Sequence, residues 1–405
     1  MRKILILIAV MAVSIASAQA EVLTVTCQNK LNTVRTDEPV VVSLKGMNVI
    51  SAVVTCEGKE IPCQVDDFNS DGKMDELCFV ADFGKKETRV FKVTTSATEK
   101  MKSYPARVYA EMLLNNPKEK GKRQTSYISA LTVDGDVNPY NLLQHHGPAF
   151  ESELVSYRIY FDKRQTVDIY GKYKKGLEIK QTQFYPTKEE LASGFGDDCL
   201  WVGNTLGAGT LRGWDGKQPQ MLDKVAHRTE RIVARGPVRT IVEVQDDEWV
   251  TYNEGKKPVN MVTRYTLYAG HRDAEVKVTF ADNADSYIFC SGVINVKNST
   301  EYSNKEGLRG CWGTDWPVSE QDSAGHKRET VGLAVYFNKQ NFRKELPADK
   351  DNYPLLISPV GSELKYHIAF CSDNESFGFH SDKDWYKWMQ LWKKNLDSPI
   401  EPVIN

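Results

Sequence analysis

The sequence predicts an all-β protein: a large antiparallel β-sandwich preceded by a small N-terminal β-sandwich. Three observations lead there. Apolar and polar residues alternate over many runs of strand length, the runs are parted by Gly, Asn, Asp and Pro, and helical periodicity is confined to two places. A chain of 405 residues is long enough for one large core or two.

The elements follow in order. Residues 1–20, MRKILILIAVMAVSIASAQA, read as a signal peptide: Arg2 and Lys3 give the positive end, an apolar stretch follows, and Ala18-Gln19-Ala20 is a small-x-small cleavage pattern. That stretch is too short for a membrane span, and no later one approaches the needed length. The product is therefore expected to be exported, periplasmic or extracellular, without a membrane span. Residues 21–100 carry VLTVTC, PVVVSL, VISAVVTC, DELCFVADF and TRVFKVTT, the expected N-terminal sandwich. Residues 101–140 are mixed and polar, with NNPKEKGKRQ expected as an exposed loop or linker. Residues 141–405 hold the long alternating runs, among them ELVSYRIYF, QTVDIYGKY, GLEIKQTQFY, RTERIVARG, NMVTRYTLYA and LKYHIAFC, and form the expected large sandwich. Thr187 and Glu190 make a capping box for one short helix. A second helix starts at Ser381, with Trp385, Trp388, Met389 and Trp392 on one stripe, most simply a packing face.

Composition narrows the partners. There are 54 acidic against 52 basic residues, a formal net charge of -2, so the field that nucleic-acid binding requires is absent. The eight cysteines show no C-x-x-C spacing, which leaves one or two disulfides, with Cys56, Cys63 and Cys78 as candidates, or buried thiols.

The stretch HHGPAFESELVSYRIYFDKRQTVDIYGKY begins at His145 and carries the densest chemistry. With the turn at residues 162–166, Ile159 is expected to face Ile169 on the buried side. Ser156, Arg158 and Tyr160 then share the other side with Asp168, Tyr170 and Lys172, Arg158 opposing Tyr170 and Tyr160 opposing Asp168. An open face of Arg, Tyr, Asp and Lys suits a saccharide, since rings stack on sugar faces and charges hold hydroxyls or a uronate carboxylate. The same alternation also describes an ordinary solvated face. His145 and His146 sit upstream before Gly147-Pro148. Neighbours on an extended segment point to opposite sides, so one of them is expected at the site and the other in a structural place. Glu151 and Glu153 share the parity of Val155 and Ile159 and are expected near the sheet edge.

Two chemistries fit those residues. In β-elimination on a uronic acid, Arg158 or Lys172 neutralises the carboxylate, His145 or His146 takes the C5 proton, and Tyr160 or Tyr170 protonates the leaving oxygen. In glycoside hydrolysis Glu151 and Glu153 would flank the bond, about 6.6–6.8 Å apart at ~3.3 Å per residue. Both would then approach from one side of the sugar, which favours elimination. Binding without turnover is the remaining reading.

Further segments add binding candidates. GFGDDCLWVGNTLGAGTLRGWDG offers Asp197, Asp198, Trp201, Trp214 and Asp215 on a Gly-rich loop whose order does not match a phosphate cradle. RGCWGTDWP adds Trp312, Asp315 and Trp316. VDDFNSDGKMDEL sets Asp67, Asn69, Asp71 and Asp75 at calcium-loop spacing with Gly72, while Cys78 stands where the bidentate Glu belongs. A structural calcium or a metal-free acidic turn follows from that loop; no other cofactor is expected.

The two long motifs, HHGPAFESELVSYRIYFDKRQTVDIYGK and GFGDDCLWVGNTLGAGTLRGWDG, resemble the secreted bacterial family called domain of unknown function 4861, over nearly all the chain past the signal peptide. TLYAGHRDAEVKVTF is similar to strands of the galactose-mutarotase-like supersandwich. The resemblance implies that fold and a place in polysaccharide degradation, with an oligosaccharide or polysaccharide as partner, and transfers no catalytic residues. A mutarotase-like isomerase follows from fold analogy alone.

Overall fold

The structure, a computed structural model, describes residues 21–120 and 123–405; the expected signal peptide lies outside the described residues. The protein is all-β, and the pairings among the described strands are antiparallel.

The N-terminal sandwich packs a five-stranded sheet on a three-stranded one. The first runs in the order Val403–Ile404, Val22–Gln28, Thr88–Ser96, Ser51–Cys56, Lys59–Ile61, and the second in the order Arg35–Ser43, Glu76–Phe83, Cys63–Asp66. Period-two alternation sends Leu23 and Val25 from one sheet and Val40, Val42 and Phe79 from the other into a single core. The end of the chain returns here: Val25 pairs with Ile404, and Ile400 is buried in the same core.

The large sandwich is built on a nine-stranded sheet. Its order is Ala130–Asp134, His227–Arg235, Arg239–Trp249, Val259–Tyr268, Asp273–Phe280, Glu363–Ser372, Glu329–Phe337, Leu308–Asp315, Thr300–Ser303. Facing it are a five-stranded sheet, Asp197–Asp198, Val167–Gly171, Ser156–Ile159, Ala149–Ser152, Val108–Glu111, and a three-stranded one, Phe289–Ile294, Asn352–Ile357, Phe342–Glu345. Tyr157, Ile159, Val167 and Ile169 meet Val242, Val276, Leu333 and Ile368 between the layers. On the far face of the long sheet lies the helix Asp382–Leu396, N-capped by Ser381. Its Trp385, Met389 and Trp392 are buried against Leu308, Ala334 and Tyr336, so the tryptophan stripe is a packing face.

Two segments differ from their sequence reading. Residues 101–140 are no mere linker: Val108–Glu111 and Ala130–Asp134 each add a strand to the large sandwich, paired with Ala149–Ser152 and His227–Arg235. GLEIKQTQFY is not a strand either. It forms the single helical turn Ile179–Thr182 and then reverses through Gln183 and Phe184, both at positive φ, before the capped helix Lys188–Ala192. Its apolar residues are spaced to bury Ile179 and Phe184 on top of the five-stranded sheet, and that tertiary contact overrides the β pattern. All eight cysteines are free and buried, so none of the candidate disulfides forms.

Candidate functional site

The hairpin that carries Arg158 pairs two residues away from the expected register. Arg158 stands opposite Asp168, Ser156 opposite Tyr170, and Ile159 opposite Val167 rather than Ile169. Tyr160 belongs to the turn, its N–H donating to the Thr166 carbonyl at 3.2 Å. The chain also breaks upstream into a separate strand, Ala149–Ser152, so Glu151 pairs with Ser156 and lies on the Arg158 face, not on the core side.

The expected residues do gather, but under cover. Arg158 is 1% exposed. Its Nε donates to Asp168 at 3.1 Å, and Nη2 donates to Asp198 at 3.1 Å and to the Tyr160 hydroxyl at 2.8 Å. Nη1 donates to the Tyr185 hydroxyl at 2.7 Å, and the Phe184 ring lies 4.3 Å from the guanidinium. Burial works against the Arg158 charge, but Asp168, Tyr160, Tyr185 and Asp198 outweigh it and hold its proton more firmly than usual. Burial, with Asp168 beside it, pushes the Asp198 carboxyl well above the carboxylate range. Lys172 donates to Glu151 at 2.5 Å and to the carbonyls of Ser152 and Gly176, and Glu151 accepts the N–H groups of Glu178 and Ile179. Tyr170 donates to Glu178 and to the Gly196 carbonyl. Gly196 must be glycine, because a Cβ there would stand 1.8 Å from the Gly171 carbonyl oxygen. The segment from Glu178 to Asp198 thus closes the face, and the open groove expected from the sequence is filled by protein.

The two histidines part ways. His145 is fully buried, with Nδ1 on the Gly147 carbonyl at 2.6 Å and Nε2 on Glu111 at 3.2 Å. Both ring nitrogens are used inside the protein and neither is left for a substrate. Glu153 is likewise committed, to Arg107 and to the Gly270 N–H at 2.8 Å. Glu151 and Glu153 therefore cannot flank a glycosidic bond, which removes the hydrolytic arrangement assigned to them.

His146 is different. It is half-buried and lies flat on Tyr140, ring centroids 3.7 Å apart and planes 8° apart. Tyr160 continues the stack 6.0 Å from Tyr140. The Nδ1–H of His146 donates to the Tyr140 carbonyl at 2.8 Å, which leaves Nε2 with its lone pair. Burial pushes this ring down to about 4, against the pull of the Tyr140 carbonyl, and the charges of Arg158, His145 and Arg164 add to the fall.

Beside that stack the surface opens. A cleft of about 460 Å³ is lined by Asp136, Asn138, Tyr140, Asp162, Lys163, Arg164, Asn204, Asp223 and Arg228. Arg164 lies 5.2 Å from the Tyr140 ring centre and 4.6 Å from that of Tyr160, and its Nε donates to Asp162 at 2.8 Å. Arg228 is buried, with its Nε donating to Asp246 at 3.0 Å. Lys163 is exposed. Asp162, Lys163 and Arg164 fall in the hairpin turn, where charge is ordinary, so alternation alone does not single them out. The signal was the turn's density of charge so close to His146.

The remaining candidates scatter. Trp214 is buried with Leu206 and Cys290, and Asp215 braces its own turn by accepting the N–H groups of Lys217 and Gln218. Trp312 packs on the helix cluster with Trp385. Trp201 stays 48% exposed, near half-buried Trp316 and Asp197. In the acidic loop Asp67 accepts from Gly72, Asn69 from Asp71, Asp71 from Lys73 and Asp75 from Phe68, so these oxygens brace one exposed turn. Among the described residues no group of three or more His, Cys, Asp or Glu is assembled as a metal site, and no described helix is long and apolar enough to cross a membrane.

The chain aligns with 27 solved protein chains, among them the following two. One is a protein in the glycosyl hydrolase family 38 from Enterococcus faecalis, at 9% identity and TM-score 0.48, covering 95% of this chain and 47% of that one. The other is an alpha-mannosidase from Enterococcus faecalis V583, at 8% identity and TM-score 0.46, covering 95% and 46%. The chain spans about half the length of either. No curated protein matches it in sequence. Residues 27–401 match the family described as Domain of unknown function (DUF4861), and the chain belongs to that family.

Proposed function

We propose that this is an exported carbohydrate-active protein whose cleft beside Tyr140 takes a uronate-containing oligosaccharide and cleaves it by β-elimination. One observation carries the reading. Tyr140, Lys163 and Arg164 line one roomy cleft, and His146, whose Nε2 keeps its lone pair, is stacked on Tyr140. Lys163 and Arg164 meet the uronate carboxylate, which makes the C5 proton more acidic. The His146 Nε2 takes that proton, the electron pair becomes the C4–C5 double bond, the C4–O bond breaks, and the Tyr140 hydroxyl protonates the departing oxygen. Asn138, Asn204 and Asp223 hold sugar hydroxyls. The buried Arg158 network is the scaffold that fixes Tyr160 and, through it, the stack.

Binding without turnover is a second reading, favoured by one fact: a ring held down to about 4 is a weak base. Incubation with pectic, ulvan-like and glycosaminoglycan oligosaccharides separates the two. Elimination gives an unsaturated product with new absorbance at the ultraviolet edge; retention without product supports binding. Lys163→Ala is expected to weaken the uronate oligosaccharide about tenfold. An unchanged affinity would place the ligand elsewhere.

A further inference from the structure

A different part of the surface lies where the end of the nine-stranded sheet meets the edge of the five-stranded one. A circuit of backbone pairings, one side-chain hydrogen bond and short chain segments encloses it. Asp197 pairs with Gly171, two residues before Tyr173, whose carbonyl accepts the Ser376 N–H at 3.1 Å. Neighbouring Asn374 donates its amide to the Glu329 carboxylate. Glu329 stands across from Asp315, Trp316 follows Asp315, and the Trp316 carbonyl accepts the Trp201 N–H at 3.1 Å. Trp201 closes the loop back to Asp197 along the chain. The chain positions of Tyr173, Asp197, Trp201, Trp316, Glu329 and Asn374 thus meet in one region of the surface, where Tyr173, Asp197, Glu329 and Asn374 interact through their side chains.

The patch has an unusual composition for solvent-facing protein. Trp201 leaves 48% of its surface open, although a ring of that size is normally among the first to be covered. Trp316 is half-buried beneath the Arg328 guanidinium, 5.2 Å from its ring. Asp197 and Glu329 are half-buried with no cation hydrogen-bonded to either, although His326 acts on Asp197 and Lys327 on Glu329 through space. Burial is the main cause that lifts both carboxyls above their ordinary range, and at Glu329 the Asp197 charge adds to it. The Tyr173 hydroxyl is raised by burial and then by these same two carboxylates, which sets it near both.

We infer that this patch is a second carbohydrate site, for a neutral sugar ring stacked on Trp201 with its hydroxyls held by Asp197, Glu329, Asn374 and Tyr173. An apolar platform beside hydrogen-bonding groups of both kinds matches the two faces of a pyranose. A neutral sugar is the better fit than a uronate because the groups offered to it include two carboxylates close enough for the charge of Asp197 to act on Glu329. The cleft at Tyr140 has its own lining and the opposite charge preference, so the two sites stand or fall separately.

The test is titration of the full-length protein with neutral xylo-, manno- and galacto-oligosaccharides, followed by tryptophan fluorescence and calorimetry. At least one series is expected to bind at up to millimolar concentration and to change the tryptophan signal. Trp201→Ala is expected to weaken that binding about tenfold or more, and Glu329→Gln to weaken it while the circular dichroism spectrum stays native. Lys163→Ala, in the other cleft, is expected to leave neutral-sugar affinity intact. No binding of any neutral series, or a Trp201→Ala protein that binds as tightly as the parent, would overturn the assignment whatever uronate oligosaccharides do.

Discussion

His146 lies flat on Tyr140 with 3.7 Å between ring centres, and the same histidine donates its Nδ1–H to the Tyr140 carbonyl at 2.8 Å. The two contacts fix both the ring plane and the tautomer, and burial keeps the ring neutral down to about pH 4. A base must be unprotonated to work, so activity that depends on His146 persists as the pH falls past 6.5, where a free histidine would be lost. The acid limb of the pH–rate profile is expected near 4, and His146→Ala is expected to slow elimination about 10²- to 10⁴-fold with an unchanged melting curve. An acid limb between 6 and 7, or full rate in the variant, removes His146 from the chemistry.

The Lys172–Glu151 pair has the opposite character: both side chains are fully buried, and the ammonium is bonded only to protein oxygens. Removing one partner leaves an uncompensated charge in a dry place. Lys172→Met is expected to destabilise the fold by about 3–5 kcal/mol, whereas Lys172→Met with Glu151→Leu recovers part of that loss. Urea denaturation of the two variants measures the difference. Equal stability of the single variant and the parent would mean that water reaches the pair.

The all-β architecture was legible because alternation alone specifies strands, and the two helices were legible because Thr187 and Ser381 cap them through side-chain oxygens. Which face of the hairpin carries Arg158 was legible too, since parity follows from Ile159 and Val167 being in the core. What parity cannot say is whether a polar face stays open. Ile179 and Phe184 come from a stretch whose composition reads as strand, and only long-range packing on Ala149 and Tyr170 turns it into a cover. The register slipped for a similar reason. The turn takes in Tyr160, whose hydroxyl is drawn to Arg158 and Asp168, and a two-residue shift keeps every side chain on its face. The cleft was illegible because its wall joins Asp136, Arg164, Asn204 and Arg228 from four separate parts of the chain.

Calcium at the 65–77 loop is a proposal with a direct test. Asp67, Asn69, Asp71 and Asp75 surround one turn between the strands Cys63–Asp66 and Glu76–Phe83, each accepting a backbone N–H that orients its oxygens. Cys78 is buried in place of a bidentate ligand, so affinity in the weak extracellular range is expected. Millimolar calcium should raise Tm by about 2 °C, with EDTA reversing it and Asp71→Asn abolishing it. A melting curve indifferent to both reagents would leave the loop as a metal-free turn.

His271 ties the two sandwiches together. Its Nδ1 faces Asp273 at 3.0 Å, and its Nε2 faces the Asp37 carbonyl of the N-terminal sandwich at 2.9 Å. Both neighbours are acceptors, so the ring that satisfies them is doubly protonated. Burial opposes that charge, but Asp273, Glu38 and the Asp37 carbonyl prevail and raise the ring to about 9. His367 and Trp392 also face Asp273, which despite burial is pulled down to about 2, chiefly by His271. A histidine whose folded value is raised stabilises fully below its unfolded value of about 6.5 and loses that contribution as pH climbs toward 9. Asp273, being depressed, contributes above about 3.9 and loses it as pH falls toward 2. The link is therefore strongest between roughly pH 4 and 6.5. The gap in unfolding free energy between the parent and His271→Gln is expected to be widest near pH 6 and to shrink by ~2–3 kcal/mol by pH 9. Urea denaturation across that range decides it, and a gap that holds constant with pH would show His271 to be neutral where it stands.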